Sequence, residues 1–131
     1  MTVVVDASVV VAGLVDSGRP GRWAEELLAA EALVAPELVM VESADVLRRA
    51  ALAGQISDDV ATLAHGDLTA LRVGLLPYEP FAERVWQLRA NLSAHDAWYV
   101  AVAEAIDAPL ATMDRRLAKA TGPRCQFLLD S

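Results

Sequence analysis

Thr2-Val3-Val4-Val5-Asp6-Ala7-Ser8 is the stretch that decides the fold. A short β-branched run closed by Asp-Ala-Ser predicts a buried strand ending in a turn. Working outward, residues 32–35 before Pro36, 73–78, 110–113 and 126–129 read as further short strands. The run 73–78 is broken at Pro77 and followed by Pro80, which suits an edge position. Helical signals fall between the strands. Trp23, Leu27 and Ala30 recur at i, i+4, i+7 after a glycine loop at 18–21. Residues 37–53 form a helical stretch bent near Val41 and ended by Gly54. Ser57 caps a helix whose apolar face is Val60, Leu63 and Ala64. Phe81, Val85, Leu88 and Leu92 make the stripe of the next. Residues 93–106 carry Trp98, Ala101, Val102 and Ala105 on one face. Strands alternating with helices predict an α/β, three-layer sandwich with a short, mostly parallel central sheet, in one domain over residues 1–131.

Composition supports a packed core and excludes several classes. Of 131 residues, 55% are hydrophobic and 22% charged, which rules out a disordered chain. The longest charge-free stretch, Ala7–Val15, is far short of the roughly 20 residues a membrane span needs. Asp6 interrupts the first apolar run and no basic region precedes it, so no signal peptide is expected. The single cysteine, Cys125, cannot form an internal disulfide and reads as an inert thiol of a cytoplasmic protein. The net charge of −7 excludes a protein that coats nucleic acid by charge alone. Any nucleic-acid contact must be local, or bridged by cations held on carboxylates.

Position singles out four of the 18 acids. Each has an ordinary structural reading: Asp6 and Asp114 as turn or capping residues, Asp96 as the acid of a Ser93-Ala94-His95-Asp96 capping box, and Glu42 as an acid favouring a helix dipole. Chain geometry joins them. A helix of about 12 residues climbs roughly 18 Å, and a turn plus a five-residue strand returns about as far. Asp96 at a helix start and Asp114 at the next strand end therefore meet at one sheet edge. Asp6 faces the same edge, where open α/β sheets bind ligands, and Glu42 can join from its helix. Such a cluster is not fully ionised at neutral pH without counter-charge. Either one carboxyl holds its proton, an arginine such as Arg115 or Arg116 neutralises it, or a divalent cation binds. Oxygen-only ligands favour Mg²⁺ or Mn²⁺ over zinc.

With those residues placed, the whole chain resembles a PIN domain, specifically the VapC-type ribonuclease toxins of bacterial toxin–antitoxin pairs. Four motifs in order carry the resemblance: Val3-Val4-Val5-Asp6-Ala7-Ser8, Glu42-Ser43-Ala44-Asp45-Val46-Leu47-Arg48-Arg49, His95-Asp96-Ala97-Trp98-Tyr99-Val100-Ala101-Val102-Ala103, and Ala111-Thr112-Met113-Asp114-Arg115-Arg116-Leu117. His95 stands where members often carry an aromatic. No further acid directly follows Asp114, a place some members fill.

The resemblance implies hydrolysis of RNA phosphodiesters by metal-activated water. It implies that Asp6, Asp96 and Asp114 hold Mg²⁺ or Mn²⁺ directly or through waters, and that Glu42 orients the nucleophilic water or bridges to the metal. Ser8 and Thr112 are candidates to fix carboxylate orientation, or ordinary turn and strand-end hydroxyls, and His95 either contacts Asp96, the favoured reading, or binds the substrate. Arg48, Arg49, Arg115, Arg116 and Lys119 are candidates for phosphate contacts. Implied partners are a cognate small antitoxin whose amphipathic segment covers the site, and a second copy in a homodimer or toxin–antitoxin hetero-oligomer. Trp23 and the 37–53 region are candidates for an apolar groove taking that segment, while Trp98 reads as core.

Other readings fit less well. A phospho-acceptor receiver domain needs an acidic pair after its first strand, and Asp6 stands alone. Acidic flap-type DNA nucleases share the chemistry but need a longer chain. The competing reading is a catalytically silent PIN-like scaffold that binds protein or RNA.

Overall fold

Three consecutive valines with no exposed surface require partners on both edges and both faces of their strand. Val3, Val4 and Val5 of β1 (Thr2–Val5) have them. β1 pairs with β2 (Ala32–Pro36) on one side and β4 (Leu110–Ala111) on the other. β3 (Val73–Leu76) adds beyond β2, and β5 (Phe127–Leu128) beyond β4. The sheet order is β3-β2-β1-β4-β5, and every pairing in this computed structural model, which describes residues 1–130, is parallel. The expected 73–78 run forms the edge strand β3 only over Val73–Leu76 and stops at Pro77.

This order dictates the layers. The connections from β1 to β2 and from β2 to β3 step one way across the sheet, and the connection from β3 to β4 steps back. Right-handed crossovers put the first two sets of helices on one face and the third on the other. The first layer holds α1 (Ala7–Val15), α2 (Arg19–Ala30), α3 (Leu38–Leu52) and α4 (Asp58–Ala70), which pack on one another. The second holds α5 (Ala82–Gln87) and α6 (Ala94–Ile106), with α6 lying on β1, β2 and β4. A short α7 (Arg115–Lys119) links β4 to β5. The core is β1 sandwiched between Val9 and Val10 of α1 and the Ala97–Ala103 stretch of α6.

Four local expectations change. Asp6-Ala7-Ser8 is the start of α1 rather than a turn alone: Asp6 caps the helix by accepting from the Val9 N–H. The valines that follow are helical because the layer buries them. The glycine loop at 18–21 already contains the first turn of α2, with Pro20 inside it. Gly21 packs so closely on the α1–α2 connection that a Cβ there would lie 1.7 Å from the Asp16 carbonyl oxygen. α3 runs unbroken through Val41. The stripe from Phe81 to Leu92 is helical only over Ala82–Gln87, between a 3₁₀ turn at Glu79–Phe81 and the turns before Ser93.

Trp23 is half-buried against the core. Trp98 is also half-buried, edge-on to Tyr78 with ring centroids 5.2 Å apart. Trp86 is exposed, with the Arg89 guanidinium over its ring. Burial pushes the Cys125 thiol up to about 11, consistent with an inert cysteine. No helix among the described residues is long and apolar enough to cross a membrane.

Candidate active site

β1 is where the chain order reverses, with β2 and β3 to one side and β4 and β5 to the other. In open α/β sheets the crevice beyond the strand ends at such a switch point is where ligands bind. Asp6 immediately follows β1 and Asp114 closely follows β4, and Val5 is in register with Ala111. The sheet therefore delivers two of the four predicted acids to this crevice.

Two hydroxyls, one buried and one half-buried, stitch the strand ends together. Thr112, without exposed surface, donates to Asp6 Oδ2 (2.5 Å) and accepts from the Asp114 N–H (3.0 Å). Ser8 donates to Asp6 Oδ1 (2.5 Å) and accepts from the Met113 N–H (3.0 Å). Asp6 is thus held at both oxygens, with the Val9 N–H a third donor. Burial pushes the Asp6 carboxyl above its ordinary range, and the Ser8, Thr112 and backbone donors pull the other way. Asp114 caps α7 by accepting from the Arg116 and Leu117 N–H groups at 2.9 and 3.3 Å, so its capping role is present too.

α6 brings the third acid. Ser93 caps the helix by accepting from the Asp96 N–H at 3.2 Å, as the capping box predicts. Asp96 then shares a cavity of about 250 Å³ with Asp114, Asn91 and Arg116. Burial first, and the Asp114 charge second, hold the Asp96 carboxyl above its ordinary range. The Arg116 guanidinium is almost wholly exposed and 3.8 Å from Asp114, too weak a counter-charge to balance the pair.

Glu42 enters from α3 and lines a second cavity of about 320 Å³ with Ala7, Leu38, Val41, Arg49 and His95. Its Oε1 accepts a 2.5 Å hydrogen bond from the Tyr99 hydroxyl. Tyr99 is buried in α6; burial first, and the Glu42 bond second, push its phenol far above its ordinary range, with further contributions from the Asp6 and Asp96 charges. One phenol thus lies within electrostatic reach of three of the four acids. The four acids stand at one end of the sheet but do not share one cavity: Asp96 and Asp114 line the first, Glu42 lines the second, and Asp6 is buried and lines neither. His95 is exposed and lines the Glu42 cavity, so its side chain stands with Glu42 rather than in the cavity of Asp96.

The cations divide as well. Arg49 lines the Glu42 cavity and Arg116 the Asp96–Asp114 cavity. Arg48 and Arg49 pair with Asp45 at 2.7 and 3.4 Å, Arg115 pairs with Asp130 at 3.1 Å, and Lys119 is an exposed residue of α7. Tyr99 was missed from sequence, although it lies three residues after Asp96 and so on the same helix face.

Among the described residues no three His, Cys, Asp or Glu side chains are gathered closely enough to hold a metal ion by themselves. The donor set still has the chemistry of a hard-cation site: oxygen donors only, with two carboxyls disfavoured by burial and one of them by a neighbouring carboxylate. Mg²⁺ suits such a set, because it keeps several waters and takes one or two carboxylates plus substrate phosphate oxygens.

Residues 3–123 match the PIN domain family model. The chain is 41% identical over 127 residues to Ribonuclease VapC1 of Mycobacterium tuberculosis, covering 96% of each chain. Its fold matches the crystal structure of VapC20 of M. tuberculosis, a sarcin-ricin loop cleaving toxin, with a TM-score of 0.68, 17% identity, and 89% and 93% of the two chains covered. It also matches VapBC2 of Rickettsia felis, solved with a DNA fragment from its promoter, with a TM-score of 0.66, 12% identity and 98% of each chain covered. The switch-point crevice, the acids at that end of the sheet and this likeness over nearly the full length agree: the chain belongs to the PIN-domain family, in its VapC group.

Proposed function

We propose that this protein is an Mg²⁺- or Mn²⁺-dependent endoribonuclease, the toxin of a toxin–antitoxin pair. The observation that carries the reading is the uncompensated acidic end of the sheet, in a chain 41% identical to a protein named as a ribonuclease. Asp6, Asp96 and Asp114 are the residues that would hold the cation. When bound, it lowers the pKa of a coordinated water and neutralises charge on the phosphate being cleaved.

The chain's own residues do the rest. Ser8 and Thr112 keep the Asp6 carboxylate in one orientation through its two oxygens. The N-terminus of α7 fixes Asp114, leaving the rest of its carboxylate for a cation. Glu42, which lines the second cavity, would orient the nucleophilic water or bridge to the cation. Arg49 and Arg116 border the two cavities and suit phosphate oxygens on either side of the reacting group. With net charge −7, recognition rests on the shape and loop bases of a folded RNA. The partners in this reading are the RNA substrate, a cognate antitoxin and a second copy of the chain, consistent with the toxin–antitoxin assembly of VapBC2.

The test is incubation of purified protein with bulk RNA and Mg²⁺ or Mn²⁺, beside EDTA and Asp6→Asn controls. Cleavage lost in both controls supports the reading. Metal-independent cleavage, or full activity of Asp6→Asn, contradicts it. Absence of both cleavage and metal binding favours the silent scaffold.

A further inference from the structure

A phenol in the middle of an apolar helix needs a reason. Six residues of α6, Ala97 and Tyr99 to Ala103, are buried, and Tyr99 is the one among them whose side chain carries a polar group. Phenylalanine would fill the same space without desolvating a hydroxyl. The hydroxyl's cost is offset only if it finds a partner, and the partner here is Glu42, 57 residues away in sequence. The bond joins α6 to α3, two helices from opposite layers, past the end of the sheet that separates them.

The four acids differ in how they are fastened. Asp6 accepts from Ser8, Val9 and Thr112, and Asp114 from two backbone N–H groups. Asp96 sits in the Ser93 capping box within the first turn of its helix. Glu42 has the longest side chain of the four and is only half-buried. Its hydrogen bond from Tyr99 is the one side-chain fastener described for it.

We infer that Tyr99 is a positioning residue that holds the Glu42 carboxylate in the active-site crevice by donating its phenolic hydrogen to Oε1. The inference deepens the ribonuclease reading and rests on it for the catalytic use of Glu42; the coupling of the two side chains stands on geometry alone. Because a carboxylate only accepts, Tyr99 fixes one oxygen and leaves the other to face the cavity.

The test is a double-mutant cycle of Tyr99→Phe and Glu42→Ala in the full chain, read by chemical denaturation and, separately, by RNA cleavage. Tyr99→Phe should lower the unfolding midpoint of the wild-type protein. In the Glu42→Ala background it should leave the midpoint unchanged or raise it, since it removes a buried hydroxyl that has lost its partner. In cleavage, Tyr99→Phe should lower kcat by about tenfold with KM unchanged, the range expected when a functional group loses its orienting partner. Equal destabilisation in both backgrounds overturns the coupling. An unchanged kcat in Tyr99→Phe overturns the positioning role. A wild-type protein that cleaves no RNA overturns the ribonuclease reading and the catalytic purpose of the contact, a result the denaturation cycle keeps separate from the coupling itself.

Discussion

Asp96 and Glu104 stand near opposite ends of the same helix, α6, and their surroundings push them opposite ways. Burial disfavours the charge at both. At Glu104 the Arg84 guanidinium answers it with bonds of 2.7 and 3.1 Å, and the Arg124 N–H adds a third at 2.7 Å, so the carboxyl is held below its ordinary range. Arg84 also donates to the Gly122 carbonyl (3.0 Å), so this end clasps the segment leading into β5. At Asp96 burial is joined by the charge of another carboxylate, Asp114, and the carboxyl is held above its ordinary range. The Glu104 end is built for stability and complete in itself. The Asp96 end has no such closely bonded cation, since Arg116 in its cavity is almost wholly exposed, and this is the difference on which the proposed cation site rests.

The largest expected effect is on chemistry. Asp6→Asn keeps the shape of the side chain but removes its charge, and should cut metal-dependent RNA cleavage by on the order of 10²-fold or more while leaving the unfolding midpoint at least as high in EDTA. An unfolded variant would show that Asp6 belongs to the structural end of the comparison. Thr112→Val should come next. It frees Asp6 Oδ2 and the Asp114 N–H together, so activity should fall by about 10–100-fold and stability by about 1–3 kcal/mol, measured by cleavage rate and urea unfolding.

At the clasp the expectation reverses. Arg84→Ala leaves Glu104 facing its pocket with one donor and should cost about 2–3 kcal/mol in urea unfolding, with the cleavage rate of the folded protein unchanged. A loss of activity without a loss of stability would erase the distinction between the two ends.

The smallest effect is in pH dependence, and its sign follows from the direction of each shift. Asp6 and Asp96 have native values raised above 3.8, so in the window upward from there the native state binds more protons than the unfolded chain. Stability of the metal-free protein therefore falls as pH rises through that window. Glu104 is lowered from 4.5, so its contribution is present above that value and is lost as pH falls through its native value. Urea unfolding in EDTA across this range should show Asp96→Asn flattening the decline toward neutral pH. A steeper decline in the variant would contradict the assignment.

Much of this contrast is legible in the sequence, for a geometric reason. In a parallel sheet, a helix and a strand of matched length return the chain to the same edge, so Asp6, Asp96 and Asp114 are brought to one end by chain arithmetic alone. The Ser93 box and the Ser57 cap are local and read directly from spacing. The valines of α1 are not legible as helix, because a continuous apolar run shows no period and β-branched residues favour strands; burial in the layer decides. The separation of Glu42 from Asp96 and Asp114 into different cavities depends on side-chain directions that spacing does not carry. Tyr99 is hidden for a related reason. In an apolar helix a tyrosine reads as core, and only the approach of α3 past the sheet end reveals what its hydroxyl touches. The Arg84–Glu104 clasp joins residues 20 apart across a turn-rich segment with no periodic signal.

In the proposed reading, the acidic end of the sheet takes up a divalent cation. The most direct measurement is thermal unfolding of the metal-free protein at neutral pH with increasing Mn²⁺, beside the Asp96→Asn variant. Mn²⁺ should stabilise the wild-type protein progressively, by about 2.7 kcal/mol at a hundredfold excess over Kd, and leave the variant nearly unmoved. An unchanged wild-type midpoint, or the same rise in both proteins, would contradict it.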